Sequence, residues 1–172
     1  MMAARKPQAF HGELRHDEPL ARYTSWRAGG AAARFYRPTD ADDLARFLAQ
    51  LPPAEPLLWL GLGSNLLVRD GGFPGTVIYT QGLLDGLEQL DDCHVRAEAG
   101  VACAKVARFC VRRNLVGAEF LAGIPGTMGG ALAMNAGAFG GETWSHVVAV
   151  ETVDRGGRRH TRAPAEYRIG YR

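Results

Sequence analysis

Glycine placement constrains this chain more than any other feature. Its 172 residues include 22 glycines, well above the usual share of about 7%, and they fall in clusters. One cluster, Gly61-Leu62-Gly63-Ser64-Asn65, directly follows the apolar run Leu57-Leu58-Trp59-Leu60. Such a run suits a strand buried on both faces, and a strand leading into G-x-G is how a Rossmann dinucleotide site begins. Here, however, Leu66 stands where the third glycine belongs, and Asp70-Gly71-Gly72 and Pro74-Gly75 leave no room for a crossover helix. A Walker A loop is excluded as well, for want of a Gly-Lys-Ser/Thr. Two readings remain. The segment is either a plain turn between strands, or a backbone cradle in which glycine brings the main chain close to a phosphate while Ser64 and Asn65 add donors.

The second cluster runs Gly123-Ile124-Pro125-Gly126-Thr127-Met128-Gly129-Gly130 and continues into Ala131-Leu132-Ala133-Met134-Asn135-Ala136-Gly137-Ala138. Small residues between glycine turns suit a compact helix-packing site. They equally suit a channel where a large planar ligand lies against the backbone. A helix starting at Thr127 is expected to turn its N–H groups toward a phosphate. No lysine or arginine falls between Arg113 and Arg155, so main-chain and polar donors must carry any anion there. Together the clusters favour an extended, phosphate-bearing ligand such as a dinucleotide.

The rest of the chain is ordinary globular sequence, 47% hydrophobic and 22% charged, with a net charge of +2. No basic run marks a nucleic-acid partner. No apolar stretch follows Arg5-Lys6 as in a signal peptide, and none approaches the ~20 residues of a membrane span. The expectation is a cytoplasmic protein without membrane insertion. Cys103 and Cys110, if on one helix, lie about 10 Å apart, too far for a disulfide. All three cysteines, Cys93 included, read as buried reduced thiols, and no metal site is expected.

The local signals predict an irregular lead-in over residues 1–22. A helix capped at Thr39 follows, with Leu44, Phe47, Leu48 and Leu51 on one face and Pro52-Pro53 at its end. Phe73-Pro74-Gly75 reads as a turn, Thr76–Thr80 and Val95–Ala99 as strands. A helix with Ala102, Val106, Phe109 and Cys110 inward comes next, and then a strand over Val147–Val153 that turns back at Asp154-Arg155-Gly156-Gly157. This order argues for an α+β fold with two lobes, at 23–85 and 86–172.

Four segments, taken in order, make the reading more specific. They are Thr24-Ser25-Trp26-Arg27-Ala28-Gly29-Gly30, Leu60-Gly61-Leu62-Gly63-Ser64-Asn65-Leu66-Leu67, Glu119 through Gly130, and Asn135-Ala136-Gly137-Ala138-Phe139-Gly140. In sequence and in order they resemble the UDP-N-acetylenolpyruvoylglucosamine reductase (MurB) family from about residue 20 onward. One departure is Thr24-Ser25 where the family has Asn-Thr. The resemblance implies an FAD-binding domain of the vanillyl-alcohol-oxidase (PCMH) type, with FAD held between two α+β lobes. It assigns Gly61, Gly63, Ser64 and Asn65 to the pyrophosphate and places Leu66 among the cofactor-binding residues. Gly123, Ile124, Pro125, Gly126, Thr127, Gly129 and Gly130 would line the flavin and its diphosphate, and Asn135, Ala136 and Gly137 would lie near the ring.

The implied reaction uses NADPH as cosubstrate to reduce the enolpyruvyl ether of a sugar nucleotide, giving UDP-N-acetylmuramate for peptidoglycan. Charge that develops on the substrate carboxylate calls for a fixed cation. Ile169-Gly170-Tyr171-Arg172 matches the family's Gly-Tyr-Arg and so assigns that role to Arg172, with Tyr171 positioning substrate or nicotinamide. Tyr167-Arg168 lacks the preceding glycine. The family's proton-donating serine and late glutamate belong to a third, substrate-binding domain expected beyond Arg172, and Ser145 matches no motif. A non-catalytic FAD-binding module and another oxidoreductase of the same flavin fold stay open as alternatives.

Overall fold

A computed structural model describes residues 9–170. Its first sheet is built from β1 (Glu13–Pro19), β2 (Ala31–Arg37), β3 (Leu57–Leu60) and β4 (Phe73–Tyr79), in the order β1-β2-β4-β3. β1 is antiparallel to β2, whereas β2, β4 and β3 run parallel. The helix α1 (Ala41–Leu48) carries the chain from β2 to β3, and β4 then slots between them.

This sheet is covered on both faces, and adjacent residues diverge to opposite sides. Phe35, Val77 and Leu60 join Leu20, Ala32 and Val68 in one core. Their neighbours Tyr36 and Ile78 join Leu44, Phe47, Leu48 and Leu84 beneath α1. The Tyr36 and Phe47 rings stack at 3.6 Å between centroids. Beneath that pair the carboxylate of Asp43, wholly buried, accepts hydrogen bonds from the Tyr36 hydroxyl (2.5 Å) and from the His11 and Thr39 N–H groups (2.5 and 3.0 Å).

The second core lies beyond Gly86. The hairpin β5 (Leu87–Gln89) and β6 (Val95–Ala97) packs with α2 (Cys103–Val111) and α3 (Met128–Met134). The short ribbon β7 (Gly137–Ala138) and β8 (Gly141–Glu142) leads to a 3₁₀ turn over Thr143–His146. The last hairpin, β9 (Val150–Val153) and β10 (Arg159–Arg162), returns to the first core. Val153 packs beneath α1, Arg159 pairs with Asp42 (2.5 Å), and Arg155 donates to the carbonyls of Pro53 (3.2 Å) and Glu55 (2.7 Å). On its other side Glu151 pairs with Arg96 of β6 at 2.7 Å. The hairpin therefore spans both cores.

Several expectations need correction. The lead-in predicted to be irregular contains β1 and the fully buried Leu20, although residues 1–8 lie outside the described range. Phe73-Pro74-Gly75 is no turn but the start of β4. A register shift sets two β4 residues (Pro74 and Gly75) against one of β2 (Ala33), and this bulge accommodates a proline in a central strand. The cap of α1 is Asp40 rather than Thr39; its carboxylate accepts from the Asp43 N–H at 2.7 Å. α2 is rotated from the predicted face. Cys103, Val106, Ala107 and Cys110 point inward, whereas Phe109 lies under the Arg113 guanidinium at 3.5 Å. The strand predicted over Val147–Val153 begins only at Val150. Cys93 is exposed, not buried.

Candidate functional site

No helix follows the loop after β3. From Gly61 to Gly72 the chain crosses back over the first core, pinned by Leu66 and Val68. Among the described residues, none of the N–H groups from Gly61 through Leu66 donates to a protein acceptor, nor do the Ser64 hydroxyl or the Asn65 amide. Leu62 and Asn65 are exposed and Gly61, Ser64 and Leu66 half-buried, so these donors are open to a ligand or to water, and such a run at the end of a parallel strand can seat an anion. Gly63 makes the bend possible: its φ is +70°, and a Cβ there would drive into the Tyr23 carbonyl oxygen.

The motif from Thr24 to Gly30 is the wall behind this loop, a role its residue types alone did not disclose. Ser25 donates its N–H to the Gly63 carbonyl at 3.1 Å, and Gly30 donates to Arg69 at 3.0 Å. Gly29 (φ +122°) admits Val68, which would clash with any side chain there. The signal was its glycine pair, whose fit against a segment nearly forty residues away only the fold displays.

The two glycine clusters meet. A Cβ at Gly61 would collide with the Thr127 hydroxyl, and one at Gly126 would stand 4.0 Å from Ser64 Oγ. The end of the loop Gly123-Ile124-Pro125-Gly126 thus packs against the Gly61–Asn65 cradle. The start of α3 plays a different part from the one expected. Met128 and Gly129 donate their N–H groups to the carbonyls of Val101 (2.8 Å) and Ala99 (2.9 Å), and Gly130 faces Thr127 Oγ1 at 3.5 Å. These donors are spent in joining α3 to the approach to α2, so the run of open amides is that of the first cluster.

Asn135 ends α3 in the left-handed conformation at φ 42°. Its side chain accepts from the Trp144 N–H at 3.1 Å and donates to Glu142 at 3.2 Å. Ala136 accepts at its carbonyl from the Thr143 hydroxyl at 2.7 Å, and Gly137 packs against Gly141 too closely for a side chain. This turn borders a groove of about 560 Å³ whose walls include Leu132, Trp144, Tyr167 and Gly170. Asn135 and Gly170 therefore share one groove, while the cradle residues lie outside it. Tyr171 and Arg172 lie outside the described residues. Ser145 is exposed, its hydroxyl 3.4 Å from Glu142.

A mixed α+β domain whose glycine loops converge on unpaired backbone amides, without a crossover helix, defines a class of dinucleotide-binding protein distinct from the Rossmann type. Residues 32–162 match the family described as FAD binding domain, and the chain belongs to that family. FAD is the cofactor of this domain, which is of the vanillyl-alcohol-oxidase type. A UDP-N-acetylenolpyruvoylglucosamine reductase from Alkalilimnicola ehrlichii is 64% identical over 172 residues, covering 100% of this chain and 57% of the relative. One from Methylococcus capsulatus is 62% identical over 170 residues, covering 99% and 56%. Among solved structures, the UDP-N-acetylenolpyruvylglucosamine reductase from Thermus caldophilus matches with a TM-score of 0.71 at 33% identity, over 95% of this chain and 56% of that one. The chain thus spans a little over half the length of these relatives. No helix among the described residues is long and apolar enough to cross a membrane.

Proposed function

We propose that this chain is the FAD-holding part of a UDP-N-acetylenolpyruvoylglucosamine reductase, a cytoplasmic enzyme that uses NADPH to convert UDP-N-acetylglucosamine enolpyruvate to UDP-N-acetylmuramate for peptidoglycan. The observation that carries the reading is that Gly61–Leu66, with its undonated amides, meets Gly126 and Thr127. Open amides beside that contact would serve a diphosphate whose extended body runs on along both clusters. The relatives' names supply the substrate.

In this reading the N–H groups of Gly61, Gly63, Ser64, Asn65 and Leu66 donate to diphosphate oxygens, with the Ser64 and Asn65 side chains as further donors. Gly126 and Thr127 form the opposite wall with Ile124 and Pro125, and the missing side chains at Gly123 and Gly129 let Phe139 and Ala99 pack close, with Gly130 beside the Thr127 hydroxyl. The rigid turn Asn135-Ala136-Gly137 holds backbone beside the ring. Bound FAD would supply the hydride, taken from NADPH and passed to the enol ether. Arg172 would grip the substrate carboxylate and hold the charge that reduction places there, and Tyr171 would orient the substrate beside it. Lobes at 23–85 and 86–172 are part of the proposal. The separate cores on either side of Gly86 support that division, and the β9–β10 hairpin crosses it.

The test is an FAD titration of this chain, read by flavin absorbance and fluorescence. Binding at one FAD per chain is expected. Gly61→Val, which wedges a branched side chain against Thr127, should weaken it at least tenfold, equivalent to about 1.4 kcal/mol, with the circular dichroism unchanged. A colourless protein with no FAD affinity overturns the reading. Anaerobic NADPH should bleach the bound flavin; a flavin that stays oxidised would point instead to a non-catalytic FAD module.

A further inference from the structure

The turn joining β5 to β6 lies on the second lobe, outside the glycine loops. It reads Leu90-Asp91-Asp92-Cys93-His94. An Asp91 carboxylate oxygen, the Cys93 sulfur and a His94 ring nitrogen all lie within 4.8 Å of one another. From these residues we infer a surface site for a borderline divalent cation of the zinc class, bound by thiolate, imidazole and carboxylate.

The donor set is chemically selective. Sulfur with imidazole nitrogen suits zinc, cobalt or nickel, whereas magnesium and calcium require oxygen shells. The spacing fits too. Zn–S and Zn–N bonds of about 2.3 and 2.05 Å at a tetrahedral angle separate the two donors by about 3.6 Å. Cys93 Sγ and His94 Nδ1 stand 3.5 Å apart. The Asp91 oxygens lie 2.8 and 2.9 Å from His94 Nδ1, and a tetrahedral O–N pair spans about 3.4 Å. The carboxylate therefore has to swing outward by roughly half an ångström, with no obstruction in an exposed turn. Its hydrogen bonds to the Cys93 and His94 N–H groups (2.9 and 2.8 Å) already hold the three residues curled around one point. On binding, the Cys93 thiol proton passes to solvent and sulfur donates a lone pair to the metal. Water or the neighbouring Asp92 completes the fourth position.

Such a site pins the end of the β5–β6 hairpin, whose Leu87, Val95 and Ala97 pack on the second core. No C-x-x-C or spaced His pair marks the site among the residues; only the tightness of the turn brings the donors together.

The probe is Co(II), titrated into the chain under reducing conditions and followed by the near-ultraviolet thiolate-to-cobalt band. One Co(II) per chain is expected, displaced by Zn(II). Cys93→Ser should abolish the band, and His94→Ala should weaken binding about tenfold or more, with circular dichroism confirming that both variants fold. Absence of the band overturns the proposal. So does its persistence in Cys93→Ser, or saturation at one metal per two chains, which would mean bridging between molecules.

Discussion

At the scale of single residues, Asp43 shows how a charge is kept inside a small protein. Burial works to raise its pKa, but hydrogen bonds from His11, Tyr36 and Thr39, with the Arg46 charge nearby, outweigh burial and hold it below the usual carboxylate range. A depressed folded-state pKa stabilises the protein above the unfolded value of about 3.9, and that stability is lost as pH falls through the folded value. Unfolding by urea at several pH values should show the midpoint falling below about pH 4. In Asp43→Asn the slope should be smaller and the neutral-pH stability lower by about 1–3 kcal/mol, since an amide cannot accept from all the donors that face it. An unchanged pH slope in Asp43→Asn would remove Asp43 from this role. Cys103 contrasts with it: burial alone pushes its thiol up to about 11, so it remains a packing residue.

At the scale of elements, legibility depended on whether the signal was local. α1 was readable because its acidic first turn, its apolar face and Pro52-Pro53 all lie within one stretch. β2 was not, because Phe35 and Tyr36 are both fully buried, on opposite faces of a doubly covered sheet, so no alternation marks the strand. The bulge at Pro74 was hidden because it is a property of the pairing between β2 and β4. The glycine clusters were legible as loops, but their convergence was not, since Gly61 and Thr127 are far apart in sequence. The turn after α3 provides a test at this scale. Asn135→Ala loses two side-chain hydrogen bonds and places alanine in the left-handed region, which costs roughly 1–2 kcal/mol there. Asn135→Gly loses the bonds but not the conformation. Thermal unfolding should therefore rank wild type above Asn135→Gly, and Asn135→Gly above Asn135→Ala. The reverse order for the two variants would mean that the turn does not depend on this backbone conformation.

For the whole molecule, the proposed site draws residues from both cores, so in that reading ligand binding and the union of the two cores are a single equilibrium. FAD that binds only the folded chain should stabilise it by about 2.7 kcal/mol at a hundredfold excess over its dissociation constant. The expected record is one cooperative melting transition moving upward with FAD concentration. Two transitions, only one of them responsive to FAD, would show the cores to be independent.

The bond between Arg159 and Asp42 spans 117 positions, and that from Arg155 to the Pro53 carbonyl spans 102. At about 5–20 residues per second of translation, α1 leaves the ribosome roughly 6 to 23 seconds before its partner hairpin exists. Over that interval the apolar surface that Val153 will cover stays open to any other chain or chaperone nearby. The β9–β10 hairpin thus also sets a clock, because α1 cannot be sealed until a segment more than a hundred positions further along the chain has arrived.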